Sequence, residues 1–251
     1  MEWYLILALV GTGIAAGFIN TTAGGGSMLT LPLLMFLGLP ANIANGTNRI
    51  AILLQNVIGA NTFRQQKVLD LKTDYKLAIP AIIGSIIGAL FAVEIDPVLL
   101  KKIIAGLMIV MFFIVVLKPE VWVREHAGST MAKPTILQYI IFFLIGLYGG
   151  FIQMGVGFLL LAGLVLGCGQ NLVKANAVKV FIVLIYTIFS LGVFIYHKQV
   201  DITAGLILAA GNMAGAWLGA HFTVKGGAKY VRYVLILALL IVILNLFGVF
   251  G

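Results

Sequence analysis

Ten apolar runs separated by glycine, proline or charge dictate what this chain can fold into. They fall at roughly 3–20, 28–39, 43–63, 76–93 and 98–117, then at 135–153, 157–168, 172–196, 203–222 and 229–250. The runs are continuous rather than alternating every second residue, which excludes a closed β-barrel and leaves helices. A helix needs about 20 residues to cross the hydrocarbon core of a bilayer. The composition agrees: 62% of the 251 residues are hydrophobic and 10% charged, against roughly 45–50% and 25% for a soluble domain. These numbers exclude a disordered or nucleic-acid-binding chain despite the net charge of +8. The expectation is an all-α polytopic membrane protein whose first partner is the lipid bilayer.

Other classes fall away as quickly. The single cysteine, Cys168, cannot form an intramolecular disulfide, and His126, His197 and His221 stand far apart. No metal-ligand spacing is present, so neither a metal nor another cofactor is expected. The start, Met1-Glu2-Trp3-Tyr4, has no basic n-region, so the first run reads as a retained helix. An integral membrane enzyme would need a nucleophile, an acid–base pair or a metal cluster within the bundle, and the sequence offers none.

The two sets of five runs, A to E in each half, form an internal repeat. The polar stretch 118–134 is the boundary, giving repeats 1–117 and 135–251. Gly17-Phe18-Ile19-Asn20 resembles Gly150-Phe151-Ile152-Gln153. Beyond a two-residue gap, a constant offset of 131 pairs Gly24 with Gly155, Gly26 with Gly157, Gly38 with Gly169 and Ala44-Asn45 with Ala175-Asn176. The same offset sets Gly84 and Gly88 on Gly215 and Gly219, and Lys101 on Arg232. Run B, about 12 residues, is too short to span at 1.5 Å per residue. It is expected to be re-entrant or paired with A, beside about four spanning helices per half.

Basic residues collect on the cytoplasmic side and so test the sense of the repeat. With four crossings per half the 16 Lys and Arg split evenly. With five passes per half only Arg49, Lys101, Lys102 and Lys198 oppose the other twelve. The inverted arrangement follows, with both termini outside. Inverted repeats with interrupted helices at matching positions point to a secondary transporter, working by alternating access.

Candidate site residues lie in A–B and C. Glycines at Gly24-Gly25-Gly26-Ser27 let the chain turn tightly and aim the amides of helix B at the break, a place that suits an anion; a plain helix-hairpin turn is the alternative. In the first C run, Asn45, Asn48, Arg49, Gln55, Asn56 and Gly59 share one helical face. Asn176, Lys179, Tyr186, Ser190 and His197 do the same in the second. A cation inside a membrane segment costs about 2.5–3.5 kcal/mol on insertion scales. Such residues therefore face a polar cavity or snorkel to the interface. Arg49 and Lys179 sit one position apart after alignment, each one turn beyond an aligned Asn, which favours a shared anion site. No acid lies deep in an apolar run, so a proton is the candidate coupling ion, with His197 or His221 as carriers. The glycines of D (Gly84, Gly88, Gly211, Gly215, Gly219) have small-xxx-small spacing and suit helix packing, and Asn212 suits an interhelical hydrogen bond. Trp3, Tyr4, Trp122, Tyr230 and Tyr233 fit an interfacial belt.

The strings Ala16-Gly17-Phe18-Ile19, Gly24-Gly25-Gly26 and Leu31-Pro32-Leu33-Leu34 resemble the opening of the TauE/SafE family of sulfite exporters and sulfonate permeases. Leu37-Gly38-Leu39-Pro40, Asn45-Gly46-Thr47-Asn48, Val68-Leu69-Asp70 and Val200-Asp201 are similar to later motifs of that family. The resemblance implies transport of a small sulfur-containing anion (sulfite, thiosulfate, a sulfonate or a sulfoacetate-like compound) across a prokaryotic cytoplasmic membrane. It carries over to Gly24, Gly25, Gly26, Gly46 and Thr47. The second half departs from it, with Gly155-Val156-Gly157 and Ala177-Val178 at the matching places. An anion channel is the rival function, and the anion, the direction of transport and the oligomeric state stay open.

Overall fold

The computed structural model describes residues 3–70, 75–117 and 134–246, with side chains described outside 111–117 and 227–246. The charged linker therefore lies outside the described residues except for Pro134, as do the side chains of Trp122, Tyr230 and Tyr233. Every regular element among the described residues is helical. In lipid each backbone N–H and C=O must find a partner within the chain, and a helix provides one for nearly all of them.

The helices are α1 (Trp3–Thr22), α2 (Ser27–Phe36) and α3 (Ala41–Gln65), then a 3-10 turn (Tyr75–Leu77) leading into α4 (Ala78–Glu94), and α5 (Pro97–Leu117). The second half has α6 (Ile136–Phe151), α7 (Val156–Ala162, running on as a π-turn to Gly167), α8 (Leu172–Tyr196) and α9 (Ile202–Leu246). Trp3–Thr22, Tyr75–Glu94, Leu172–Tyr196 and Ile202–Gly226 are long and apolar enough to cross a bilayer. Large apolar side chains such as Leu7, Phe91, Leu144, Phe189 and Leu218 cover the outside of the bundle, where a soluble protein would carry charge.

Local chemistry sets the breaks. Gly24, Gly38, Gly155 and Gly169 have φ of 96°, 93°, 71° and 67°, and the non-glycine residues at positive φ are Lys67 (59°) and Lys198 (55°). Glycine pays no Cβ penalty there. All six fall in pairs 131 residues apart, and α3 and α8, 25 residues each, begin and end at the same offset. Asp96 stops α4 from running into α5: its Oδ1 accepts from the amides of Val98 and Leu99 at 3.0 Å each. Pro97 then takes the first helical position, where its missing N–H costs nothing.

The runs 203–222 and 229–250 were to be separate helices, but α9 continues through Gly226-Gly227-Ala228 to Leu246. The place that matches Asp96-Pro97 carries neither a capping side chain nor a proline. Glycine lowers helix stability by about 1 kcal/mol per residue but does not forbid the next hydrogen bond as proline does.

Glycine also decides which helices touch. A Cβ on Gly84 or Gly88 of α4 would strike the backbone of α6, its amide nitrogens at Leu147 and Phe151 lying 2.7 and 2.8 Å away. A Cβ on Gly215 of α9 would meet the amide of Phe18 of α1 at 2.7 Å. The D helix of each half thus packs on the first helix of the other, backbone against backbone, as small-xxx-small spacing permits. This packing also fixes the register of the first helices. Gly17 lies against Asn212 and Gly146 against Ala81, and α1 and α6 end at Thr22 and Phe151. These pairs of α1 and α6 positions are 129 apart, one turn away from the match suggested by the Gly-Phe-Ile-Asn and Gly-Phe-Ile-Gln motifs.

Helices α3 and α8 run side by side in opposite senses. Gly46, near the start of α3, lies against Phe194 near the end of α8, and Gly59 lies against Val180 near its start. The short helices fold back on their predecessors. The Cβ position of Gly26 is filled by the carbonyl of Ala16, so the chain has doubled back beside α1 before α2 begins. In the second half Val156 Cγ2 stands 3.3 Å from the Cβ position of Gly149.

Candidate functional site

The two broken helices cross at the centre of the bundle. Gly24 and Gly157 approach so closely that neither could carry a side chain. Ser27, at the start of α2, ties the breaks together. Its Oγ donates to the Gln153 carbonyl (3.1 Å) and accepts from the Gly155 amide (3.4 Å), while its amide donates to Asn20 Oδ1 (3.2 Å).

Beside this crossing lies a cavity of about 20 Å³, lined by Asn20, Ser27, Gln55, Gln153, Lys179 and Tyr186 among others. That volume, swept by the centre of a water molecule, holds about one water. Gln55 and Tyr186 occupy equivalent places on α3 and α8, as do Ile52 and Val183, which complete the wall with Asn56, Val156 and the two glycines. The amides are held in place by one another. Gln55 Oε1 accepts from Asn20 Nδ2 (3.2 Å) and Asn212 Nδ2 (3.0 Å). Gln153 Nε2 donates to Thr187 Oγ1 (2.8 Å) and reaches the Tyr186 hydroxyl at 3.5 Å.

Both cations are buried, and both end at a helix C-terminus belonging to the other half. Arg49 donates through Nη1 to the Gly149 carbonyl (3.1 Å) and Ser190 Oγ (2.9 Å), and through Nη2 to the Gly150 carbonyl (2.6 Å). Its guanidinium carbon stands 4.5 Å over the Phe194 ring. Lys179 Nζ donates to the carbonyls of Asn20 (2.7 Å) and Thr21 (3.1 Å) and to Asn176 Oδ1 (2.6 Å). The carbonyls of Asn20–Thr21 and Gly149–Gly150 are 129 apart, so the cations cap equivalent ends of α1 and α6. A cation there meets the negative end of the helix dipole and its unpaired carbonyls. Among the described residues the buried polar side chains include these two cations but no Asp or Glu. Two basic side chains thus stand in the core held by helix-end carbonyls, side-chain oxygens and, for Arg49, the Phe194 ring.

Of the thirteen residues singled out from the sequence, Gly24, Ser27, Gln55, Asn56, Lys179 and Tyr186 line the cavity. Gly25 packs on the Phe158 ring and Gly26 on α1. Asn45 Nδ2 donates to the Phe151 carbonyl at 2.8 Å, and Asn176 holds Lys179. Gly46 abuts the Gln199 carbonyl, and Thr47 Oγ1 accepts from the Asp201 amide at 2.8 Å. These last two shape the junction of α3 with the start of α9, away from the cavity. Arg49 stands behind the wall, with Nη1 3.5 Å from Gln153 Oε1. His197 and His221 hold carbonyls of their own helices, Val193 and Trp217, and do not line the cavity. Sequence reasoning left out Asn20 and Gln153, although an amide just before each break was the available signal.

The family model described as Sulfite exporter TauE/SafE matches residues 9–246. A probable membrane transporter protein, ORF9, of Sinorhizobium is 28% identical over 238 residues, covering 94% of this chain and 90% of its own. The probable membrane transporter protein YfcA of Escherichia coli K12 is 30% identical over 235 residues, covering 93% and 86%. One from Haemophilus influenzae is 27% identical over 233 residues, covering 91% and 89%. No solved structure matches. With its family model matched along nearly the whole chain, and with the paired helix breaks that the opening motifs specify, this chain belongs to the sulfite exporter TauE/SafE family.

Proposed function

We propose that this chain is a secondary transporter that carries a small sulfur-containing anion across the cytoplasmic membrane of a prokaryote. The observation that carries the reading is the central cavity, walled by residues of both halves where two interrupted helices cross. Amide, hydroxyl and ammonium groups line it. An oxyanion finds donors there in Asn20, Gln153, Tyr186 and the backbone of the breaks. The uncompensated charges of Lys179, at the wall, and Arg49, behind Gln153, supply the attraction. The names of the relatives speak for transport, and the family description for a sulfur oxyanion.

The cavity holds about one water, so an anion larger than that enters only after its walls move apart. Alternating access supplies that motion. Equivalent helices α3 and α8 run antiparallel, as an inverted duplication requires, and the α1–α9 and α4–α6 packing is reciprocal. One repeat can then rock against the other about the crossing. The charge distribution along the sequence supports an N-terminus outside.

The test is the melting temperature of the purified protein against sulfite, thiosulfate, sulfate, sulfonates and carboxylates at constant ionic strength. A ligand that binds only the folded state raises it. A selective rise with one sulfur oxyanion, together with saturable uptake of it into proteoliposomes, is expected. No rise with any of them overturns the substrate class. Conductance without saturation replaces the transporter by a channel.

A further inference from the structure

The ammonium of Lys179 occupies a position with a recognisable chemistry. Three oxygens surround it at 2.6–3.1 Å: two main-chain carbonyls from the last turn of α1 and the side-chain carbonyl of Asn176. An ammonium has three protons, and each has one acceptor here. Carbonyls at the end of an interrupted helix, beside a substrate cavity, are the groups with which secondary transporters commonly coordinate a free monovalent cation. At the equivalent end of α6, the Arg49 guanidinium and the Asn45 amide take the corresponding carbonyls.

We propose that the oxygen cage of Asn20, Thr21 and Asn176 is a monovalent-cation site and that Lys179 fills it with a cation tethered to α8. The inference rests on the anion-transporter reading above and deepens it: the protein supplies the countercharge of its anion itself and takes up no metal cation at this place. Three observations join in it. Nζ has no carboxylate partner among the described residues, so it interacts with this cage as a cation does with dipoles. The side chain is 2% exposed, so bulk water is kept from the carbonyls. Lys179 also lines the cavity, which puts its charge where an anion would bind.

Removing the side chain beyond Cβ opens a space shaped for n-propylammonium. In Lys179→Ala, n-propylammonium should raise the melting temperature by about 3–6 °C at ten times its dissociation constant. n-Propanol, of the same chain length and uncharged, should not, and neither compound should shift the unaltered protein. If the amine and the alcohol act alike on the variant, or the amine acts equally on the unaltered chain, the cage is not a cation site. Should the variant fail to accumulate, its recovery only in cells grown with n-propylammonium supports the proposal, and failure with the amine counts against it. A second arm needs no variant: the stabilisation of the unaltered protein by sulfite should be the same in sodium, potassium and choline salts. A sulfite effect that requires sodium overturns the tethered-cation proposal. Absence of a rise with sulfite and with every other anion of the panel instead removes the anion reading and leaves the cage to be judged by the amine.

Discussion

Gly24 and Gly157 meet backbone to backbone where the two broken helices cross: a Cβ on Gly157 would fall 2.8 Å from the carbonyl carbon of Gly24 and closer still to its Cα and oxygen. No rotamer change relieves such a contact, because main chain lies on both sides. The crossing can tighten this far only because both halves place glycine there, and the cavity next to it inherits its walls from that closeness.

Gly157→Ala should therefore push the two breaks apart and destabilise the protein by about 1–3 kcal/mol or more, the usual cost of overpacking. Gly192→Ala, with nothing within 4 Å of its Cβ position, should be neutral or slightly stabilising, since alanine favours a helix. Thermal unfolding of the two variants in detergent checks the contrast. Equal melting temperatures would mean that the crossing is looser than described.

Gln55 accepts hydrogen bonds from two amides, Asn20 and Asn212, both through Oε1. Gln55→Glu preserves shape and both acceptor bonds but puts a negative charge on the cavity wall. Folding should survive and anion binding should weaken by about tenfold or more, the equivalent of roughly 1.4 kcal/mol of repulsion. The melting-temperature rise with sulfite reads the second effect and the basal melting temperature the first. A variant that binds anions normally would remove Gln55 from the site.

Arg49 joins α3 to the end of α6 by two carbonyl bonds and to α8 through Ser190. Arg49→Glu reverses the charge and faces those carbonyls with a carboxylate, each unpaired carbonyl costing about 1–3 kcal/mol. Anion uptake should be abolished while the protein still inserts, because the apolar runs that direct insertion are untouched. Membrane fractionation alongside uptake in cells tests both halves of that statement, and normal transport would sink the assignment of charge to Arg49.

Much of this arrangement is legible in the sequence, because membrane helices announce themselves by apolar runs and glycine announces tight turns. The C runs, expected at 43–63 and 172–196, became α3 and α8 at 41–65 and 172–196, and the glycine stripes of D packed as their spacing implied. Two things were out of reach. The Gly-Phe-Ile motifs suggested a register one turn away from the packed one, since small and apolar residues recur nearly every turn along such helices and a four-residue match cannot choose between turns. The main-chain carbonyls that Arg49 and Lys179 meet lie 100 to 159 residues away. Periodicity within one helix says which face is polar, not which helix end it meets. The continuous α9 was missed for a third reason: the Lys225-Gly226-Gly227 stretch interrupts the apolar run without the cap or proline that stops a helix.

The tight turns at Lys67 and Lys198 follow the ends of α3 and α8, with φ of 59° and 55°. In a parallel duplication these equivalent turns would face the same side of the membrane, and in an inverted one opposite sides. With Cys168 replaced by alanine, single cysteines in Lys67→Cys and Lys198→Cys should differ in whole cells. An impermeant maleimide should label position 198 from outside, and position 67 only after permeabilisation, as the proposed cytoplasmic placement of the Arg64–Lys76 basic cluster requires. Labelling of both from the same side would make the duplication parallel, and the rocking of one repeat against the other would lose its basis.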